Sequence, residues 1–218
     1  MPPATHCPPP PPARLPDAAG LAAVLERALR DRRPSALPGP GRRAAVLIVL
    51  YERDGEPHLL LTKRSDALPS HPGQISLPGG VVETGDASDR DTALRETEEE
   101  VGLARGTLRV LGELDDVHTM ASNFIIRPFV ALLDGPMEAV ASDAEVARII
   151  DARVADLLAA DAALPAMPAP LELRYPLAGE DVWGATARIL RIFSRVTRCA
   201  LSSGVEPPPA GEEGDRAR

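Results

Sequence analysis

The chain is predicted to fold as an α/β sandwich built on mixed sheets. Short apolar, β-branched runs of strand length alternate irregularly with amphipathic helical segments. An Asp54-Gly55 turn signal joins two of these runs into a hairpin, which argues against a purely parallel sheet. The 218 residues are 44% hydrophobic and 26% charged, enough to bury a single core. Aromatic residues are only 3%, so that core must be built from Leu, Val, Ile and Ala.

The elements follow in order. Asp17 can cap a first helix running to about Arg32, with Leu21, Val24, Leu25 and Ala28 on one face. Pro34, Pro38 and Pro40 end it. Ala44 to Tyr51 reads as a buried strand and His58 to Lys63 as its returning partner. Pro69 to Gly80 is loop-like and holds a short strand around Gln74 to Leu77. Asp86 to Val101 reads as a helix stopped by Gly102. Strands are expected at Thr107 to Glu113 and Asn123 to Leu133. Glu145 to Val154 fits either type and leads into a helix to about Ala160. After a proline-interrupted loop, Leu171 to Tyr175 and the residues around Val182 are short strand candidates. Gly184 to Leu201 is a final helix.

The ends differ in composition. Residues 1–16 contain an unbroken run from Pro8 to Pro12, and residues 204–218 contain Pro207, Pro208 and Pro209 followed by Gly and charge. Both are expected to be disordered tails around a single domain at 17–203. The longest apolar run is far below the ~20 residues of a membrane helix. The N-terminus lacks the charged-then-apolar pattern of a secretory signal. Cys7 and Cys199 make neither a disulfide framework nor a zinc site, so the cytoplasm is the expected compartment. A net charge of −8 argues against a general nucleic-acid binder.

One stretch carries chemistry: Pro78-Gly79-Gly80, then Arg95-Glu96-Thr97-Glu98-Glu99-Glu100-Val101-Gly102-Leu103. Four glutamates in five positions repel one another, and they lie near a helix C-terminus, where negative charge is disfavoured. A compensating cation is implied. With Glu96 at 0°, Glu99 falls at about 300° and Glu100 at about 40°, so three carboxylates share a face. Glu98 falls at about 200°, beside Leu94 and Val101, and is set apart from them. Arg95 is placed to pair with Glu99 or to orient another acid. Oxygen-rich clusters of this kind suit Mg²⁺, which takes a few carboxylates plus waters and substrate phosphates. Gly79 and Gly80 would let backbone approach a metal or phosphate closely.

This stretch resembles the Nudix box, the family pattern G-x5-E-x7-R-E-U-x-E-E-x-G-U. Gly80, Arg95-Glu96, Glu99-Glu100 and Gly102-Leu103 match it. Asp86 stands at the first acid position, with eight residues before Arg95 rather than seven, and Thr97 replaces an aliphatic residue. The flanks resemble the coenzyme A pyrophosphatase branch. They are Leu60 to Ser65, Leu68, His71, Gly73-Gln74-Ile75, Leu77 to Gly80, Thr92 to Glu96, Leu111 to Asp116 and Trp183 to Leu190. Pro69 replaces a usual arginine, and Ser122-Asn123-Phe124 a commoner Ser-Gly-Phe.

The resemblance implies a Nudix-type α/β/α sandwich and a metal-dependent hydrolase. Coenzyme A or its thioesters would give 3′,5′-ADP and phosphopantetheine products. Mg²⁺ or Mn²⁺ would be held by Glu96, Glu99, Glu100 and the Gly80 carbonyl. Glu96 is the first choice of general base, with Glu145 as alternative, and Arg95 and Glu99 complete the catalytic set. Lys63 and Arg64 could hold phosphates, and Gly79 lies at the substrate. His71 and Gln74 either contact substrate or brace their loop. Two other readings stay open: the same chemistry on a dinucleotide or ADP-ribose, which Pro69 favours, and a non-catalytic module of this fold. His58 and His118 are expected to be structural, Trp183 to pack in the core or wall the pocket, and Cys199 to be a small core residue.

Overall fold

In the computed structural model, residues 10, 12, 14–68, 71–120, 122–142, 144–165 and 173–203 are described. Both proline-rich ends, Pro69 and the start of the Leu171 to Tyr175 strand candidate therefore lie outside the described residues, apart from a few positions before Asp17. The first half contains α1 (Ala18–Arg30), β1 (Arg42–Arg53), β2 (Glu56–Arg64), β3 (Ile75–Ser76), β4 (Gly79–Val81) and α2 (Asp89–Val101). The second half contains β5 (Leu108–Glu113), β6 (Val117–Thr119), β7 (Phe124–Leu133), β8 (Val146–Arg153), α3 (Val154–Ala163), β9 (Arg174–Leu177), β10 (Glu180–Trp183) and α4 (Gly184–Ser202).

β1 is the spine of a mixed sheet. β7 runs parallel to it from Arg42↔Phe124 to Leu50↔Leu132. β2 pairs antiparallel with only its far end, from Leu50↔Leu59 to Arg53↔Glu56. Beyond that point β1 and β2 part. β4 pairs with β1 (Ala45↔Gly80) and β3 pairs with β2 (Lys63↔Ile75). The chain carrying the double glycine thus lies in a fork of the sheet. β8 takes the other edge of β2, and β5 and β6 share the other edge of β7.

Strand alternation divides the core into two layers. Ala45, Leu47, Val49 and Tyr51 of β1 pack under α2 with Ala93, Leu94 and Val101. Ile48 and Leu50 face the other way, into a layer covered by α1, α3 and α4. The expected α/β/α sandwich with a mixed sheet is therefore present. Several local expectations are corrected. The second helix starts at Asp89, because Ser88 caps it by accepting from the Asp91 N–H, and Asp86 stands in the preceding turn. The ambiguous Glu145 to Val154 segment is strand β8, passing directly into α3. β4 and β6 were not foreseen, each being too short to show a period. Pro128 lies inside β7, opposite Val46 and in the gap between the β6 and β5 ladders, where no antiparallel neighbour needs its missing N–H. Cys199 is exposed, not core. Trp183 is 43% exposed and stacks with the Arg174 guanidinium 5.8 Å from its ring centre.

A buried carboxylate ties α3 to the last segment. Asp161 accepts from Tyr175 Oη (2.7 Å), Ser194 Oγ (3.0 Å) and Arg198 Nη1 (3.1 Å). Asp161→Ala strips two hydroxyls of their acceptor and one counter-charge from Arg198. It is expected to destabilise the chain by about 3 kcal/mol, read as a lower urea midpoint, with Asp161→Asn losing less.

Candidate active site

The carboxylate helix α2 is well founded locally. Ser88 caps it, Asp89 and Asp91 complement the positive end of its dipole, and Gly102 ends it in the left-handed region (φ 70°), its N–H donating to the Glu98 carbonyl. The buried face runs from Leu94 through Thr97 and Ala93 to Glu100, so Glu100 is part of that face and not opposite it. Thr97, where an aliphatic residue is usual, is buried with its hydroxyl satisfied, donating to the Ala93 carbonyl at 2.7 Å. Burial grades the acids: Glu100 is buried, the Glu96 side chain is 15% exposed and that of Glu99 57%. Glu98 turns away to pair with Arg105 at 2.8 Å.

Arg95 organises the cluster. Its Nε and Nη2 donate to the two oxygens of Asp86 at 2.9 and 3.1 Å. Its Nη1 lies 2.9 Å from Glu96 and 3.0 Å from Glu99, and Nη2 also reaches the Val81 carbonyl. Asp86 in addition accepts from Thr92 Oγ1 and the Glu83 N–H. The irregular spacer is thereby explained: an aspartate in a turn, not a helical residue, anchors the arginine. The Arg95 bonds hold the Asp86 carboxyl well below the usual carboxylate range, against the opposing effect of burial.

The double glycine closes on the acids from the sheet side. Gly79 N–H donates to Glu100 Oε2 at 3.3 Å. Gly79 has a φ of 148°, and a Cβ there would strike the Ala45 carbonyl and Val46. A Cβ on Gly80 would overrun the Glu96 carboxylate. Desolvation pushes the Glu100 carboxyl up to about 8, helped by the charges of Glu96 and Glu145 and opposed by the Gly79 N–H and Arg64. Glu96 is raised for the same first reason, with Arg95 pulling it down and Glu99 and Glu145 adding to the rise. Glu145 is exposed, yet its charge is felt at both acids, which places it beside the cluster.

The remaining expected residues divide. Arg64 faces the acids, near enough to influence Glu100, and its Nε is buried without a hydrogen-bond partner. Lys63 faces the other side of the sheet and pairs with Glu180 at 3.3 Å. His71 and Gln74 shape the connecting loop through their backbones. His71 takes a left-handed φ of 57°, and the Gln74 carbonyl accepts from the Arg64 N–H at 2.9 Å. His118 bonds Asn123 at 3.0 Å, and His58 is buried against Tyr51. Glu180, which pairs with Lys63, has no signal in the sequence, since a lone charge has no periodicity to mark it.

Among the described residues no three His, Cys, Asp or Glu side chains are gathered tightly enough to close on an ion as they stand. Arg95 engages both Glu96 and Glu99. The donor set still fits a hard dication: carboxylates and a backbone carbonyl, all oxygen, beside a glycine that leaves the space a side chain would fill.

The NUDIX domain profile matches residues 41–172. The uncharacterized Nudix hydrolase NudL of Enterobacter sp. (strain 638) is 34% identical over 178 residues, covering 76% of this chain and 85% of that protein. The protein of the same name from Photorhabdus laumondii is 38% identical over 125 residues, covering 57% and 66%. Among solved structures, a C. elegans Ap4A hydrolase binary complex aligns with a TM-score of 0.51 at 19% identity, over 75% of this chain and 98% of that one. The M. smegmatis Nudix hydrolase RenU gives 0.52 at 19%, over 72% and 85%. At such identity the structural likeness is one of fold. Profile and relatives agree on the class, a hydrolase of pyrophosphate linkages in nucleotide-like compounds. The chain belongs to the Nudix family. Hydrolases of this family generally use divalent metal ions.

Two outcomes are expected. Gly79→Ala meets backbone and Gly80→Ala meets the end of a flexible side chain, so the first lowers the melting temperature more, while both lower turnover. Between the ordinary 4.5 and about 8, the folded chain holds a proton on Glu100 that the unfolded chain releases. The stability so contributed is full below pH 4.5 and is lost as pH rises through 8. In EDTA, Glu100→Gln is expected to flatten that decline, measured by urea unfolding at several pH values.

Proposed function

We propose that this Nudix enzyme hydrolyses the diphosphate of coenzyme A or its thioesters, giving 3′,5′-ADP and (acyl-)phosphopantetheine. The observation that carries the reading is the meeting of segments that resemble that branch. Lys63 of Leu60–Ser65 pairs with Ile75 of the Gly73–Leu77 segment. Thr186 of Trp183–Leu190 donates to the Ile75 carbonyl at 3.1 Å. Arg188 of the same segment donates to the His118 carbonyl at 2.7 Å. Three separate stretches thus meet at Ile75, on the chain that leads into the double glycine.

Glu96, Glu99, Glu100 and the Gly80 carbonyl would hold Mg²⁺ or Mn²⁺. The ion, when bound, neutralises diphosphate charge and lowers the pKa of an attacking water. The chain's own groups supply orientation and proton transfer. Arg95 holds Glu96 and Glu99 in fixed directions. Glu96, made more basic by burial, takes the proton of the attacking water on a carboxylate oxygen, with Glu145 beside it as the alternative acceptor. Arg64, whose charge is felt at Glu100, would meet a phosphate oxygen of the substrate.

Incubation with coenzyme A and Mg²⁺ or Mn²⁺ in ¹⁸O-water, followed by mass spectrometry, tests this. Label in a phosphate of 3′,5′-ADP or phosphopantetheine is the expected result. Cleavage of ADP-ribose or Ap4A with coenzyme A untouched would overturn it. Glu99→Gln should lower kcat about 100-fold, or ~2.7 kcal/mol, with little change in melting temperature, because the Arg95 pair lost at this exposed side chain is offset by the carboxylate repulsion removed. A folded Glu99→Gln enzyme turning over at full rate would remove Glu99 from the ligand set.

A further inference from the structure

Lys63 and Arg148 stand directly opposite each other on β2 and β8, on the sheet face away from the acid cluster. Two cations in register repel. Glu180, the first residue of β10, lies between them: it accepts from Lys63 Nζ at 3.3 and 3.4 Å and from Arg148 Nη2. The charges do not balance, since two cations meet one carboxylate. The Lys63 bonds are long for a charge-assisted pair, and its side chain is 35% exposed, with donors left over for another anion.

Glu180 also follows a strained turn, the two-residue Ala178-Gly179, whose φ angles are 49° and 79°. Alanine in the left-handed region is strained by about 1 kcal/mol. β9 and β10 form a separate two-stranded sheet without a ladder to the main one. Its strands are anchored by the buried Tyr175, Leu177 and Val182, and the ion pairs hold the Glu180 side chain at the hairpin tip. Lys63 pairs with Ile75, and the chain from Ile75 runs on through Leu77 and Pro78 into Gly79-Gly80.

We infer that Lys63 and Arg148 form a subsite for a phosphate monoester, and that Glu180 is its internal occupant, displaced when a substrate brings one. A monoester carries nearly two negative charges and answers both cations, whereas Glu180 answers them with one. A ligand lacking that group leaves Glu180 in place and gains nothing there, so competition with Glu180 sets the discrimination. The inference rests on the proposed diphosphatase reading, in which the 3′-phosphate of coenzyme A is such a group.

The test compares 3′,5′-ADP with 5′-AMP, probes differing by one phosphate monoester, in calorimetric titrations of the full chain. Wild type should bind 3′,5′-ADP about tenfold tighter, as one to two charge-assisted bonds would give. Lys63→Gln and Arg148→Gln should each narrow that ratio about threefold or more, and Glu180→Gln should widen it about as much, with 5′-AMP binding unchanged throughout. Equal binding of the two probes by wild type would overturn the subsite. A narrowed or unmoved ratio in Glu180→Gln would make Glu180 only a latch for the hairpin and overturn its role as occupant. If Glu180→Gln does not fold, the Lys63→Gln and Arg148→Gln ratios decide. The probe ratio is read without turnover, so coenzyme A left uncleaved with a shifting ratio condemns the substrate reading alone, and cleaved coenzyme A with a fixed ratio condemns the subsite alone.

Discussion

The guanidinium of Arg95 is the constraint on which the site depends. Helix α2 crowds Glu96, Glu99 and Glu100 toward one side near its negative end, an arrangement that repels itself. A single planar fork with five donors links Asp86, Glu96, Glu99 and the Val81 carbonyl. It joins the turn before the helix, the helix itself and the strand of the double glycine into one unit. Asp86, doubly bonded to it and fully satisfied by Thr92 and the Glu83 N–H, keeps the fork from rotating.

The fork in the sheet supplies the other half of the site. Because β2 leaves β1 after Leu59, each strand has a free edge, and the short β3 and β4 occupy those edges. Backbone is thereby brought against carboxylates with no side chain between. The Leu47 N–H donates to the Pro78 carbonyl and the Gly79 N–H to Glu100, so the glycines are pinned from both sides. Burial of Glu100 follows from this closeness, and its elevated proton affinity follows from the burial.

Two buried carboxylates bind the flanking segments to this core. Asp116, with its side chain fully buried, accepts from Arg127, Arg43 and the Leu37 N–H, and Arg43 reaches on to Asp89 in the first turn of α2. Asp161 plays the same part between α3, β9 and α4. Residues 15–40 and 173–203, outside the family match, thus contribute to the same sandwich. Low aromatic content is compatible with this, since Leu, Val, Ile and Ala fill both layers and ionic hubs pin their borders.

The sequence by itself determined the sandwich class, the long strands, the helices and the glutamate helix beside the double glycine. Those features are written in local periodicity, in caps such as Gly102, and in the spacing that puts Glu96, Glu99 and Glu100 on neighbouring helical positions. Only the tertiary structure decided that Lys63 and Arg64 part to opposite faces, that Asp86 anchors Arg95 from a turn, and that Glu180 crosses from a distant hairpin to Lys63. It also decided that Trp183 and Cys199 lie at the surface. The reason is physical: periodicity reports which face of an element is buried, whereas the partner of a charge depends on which elements the whole fold brings within hydrogen-bond distance.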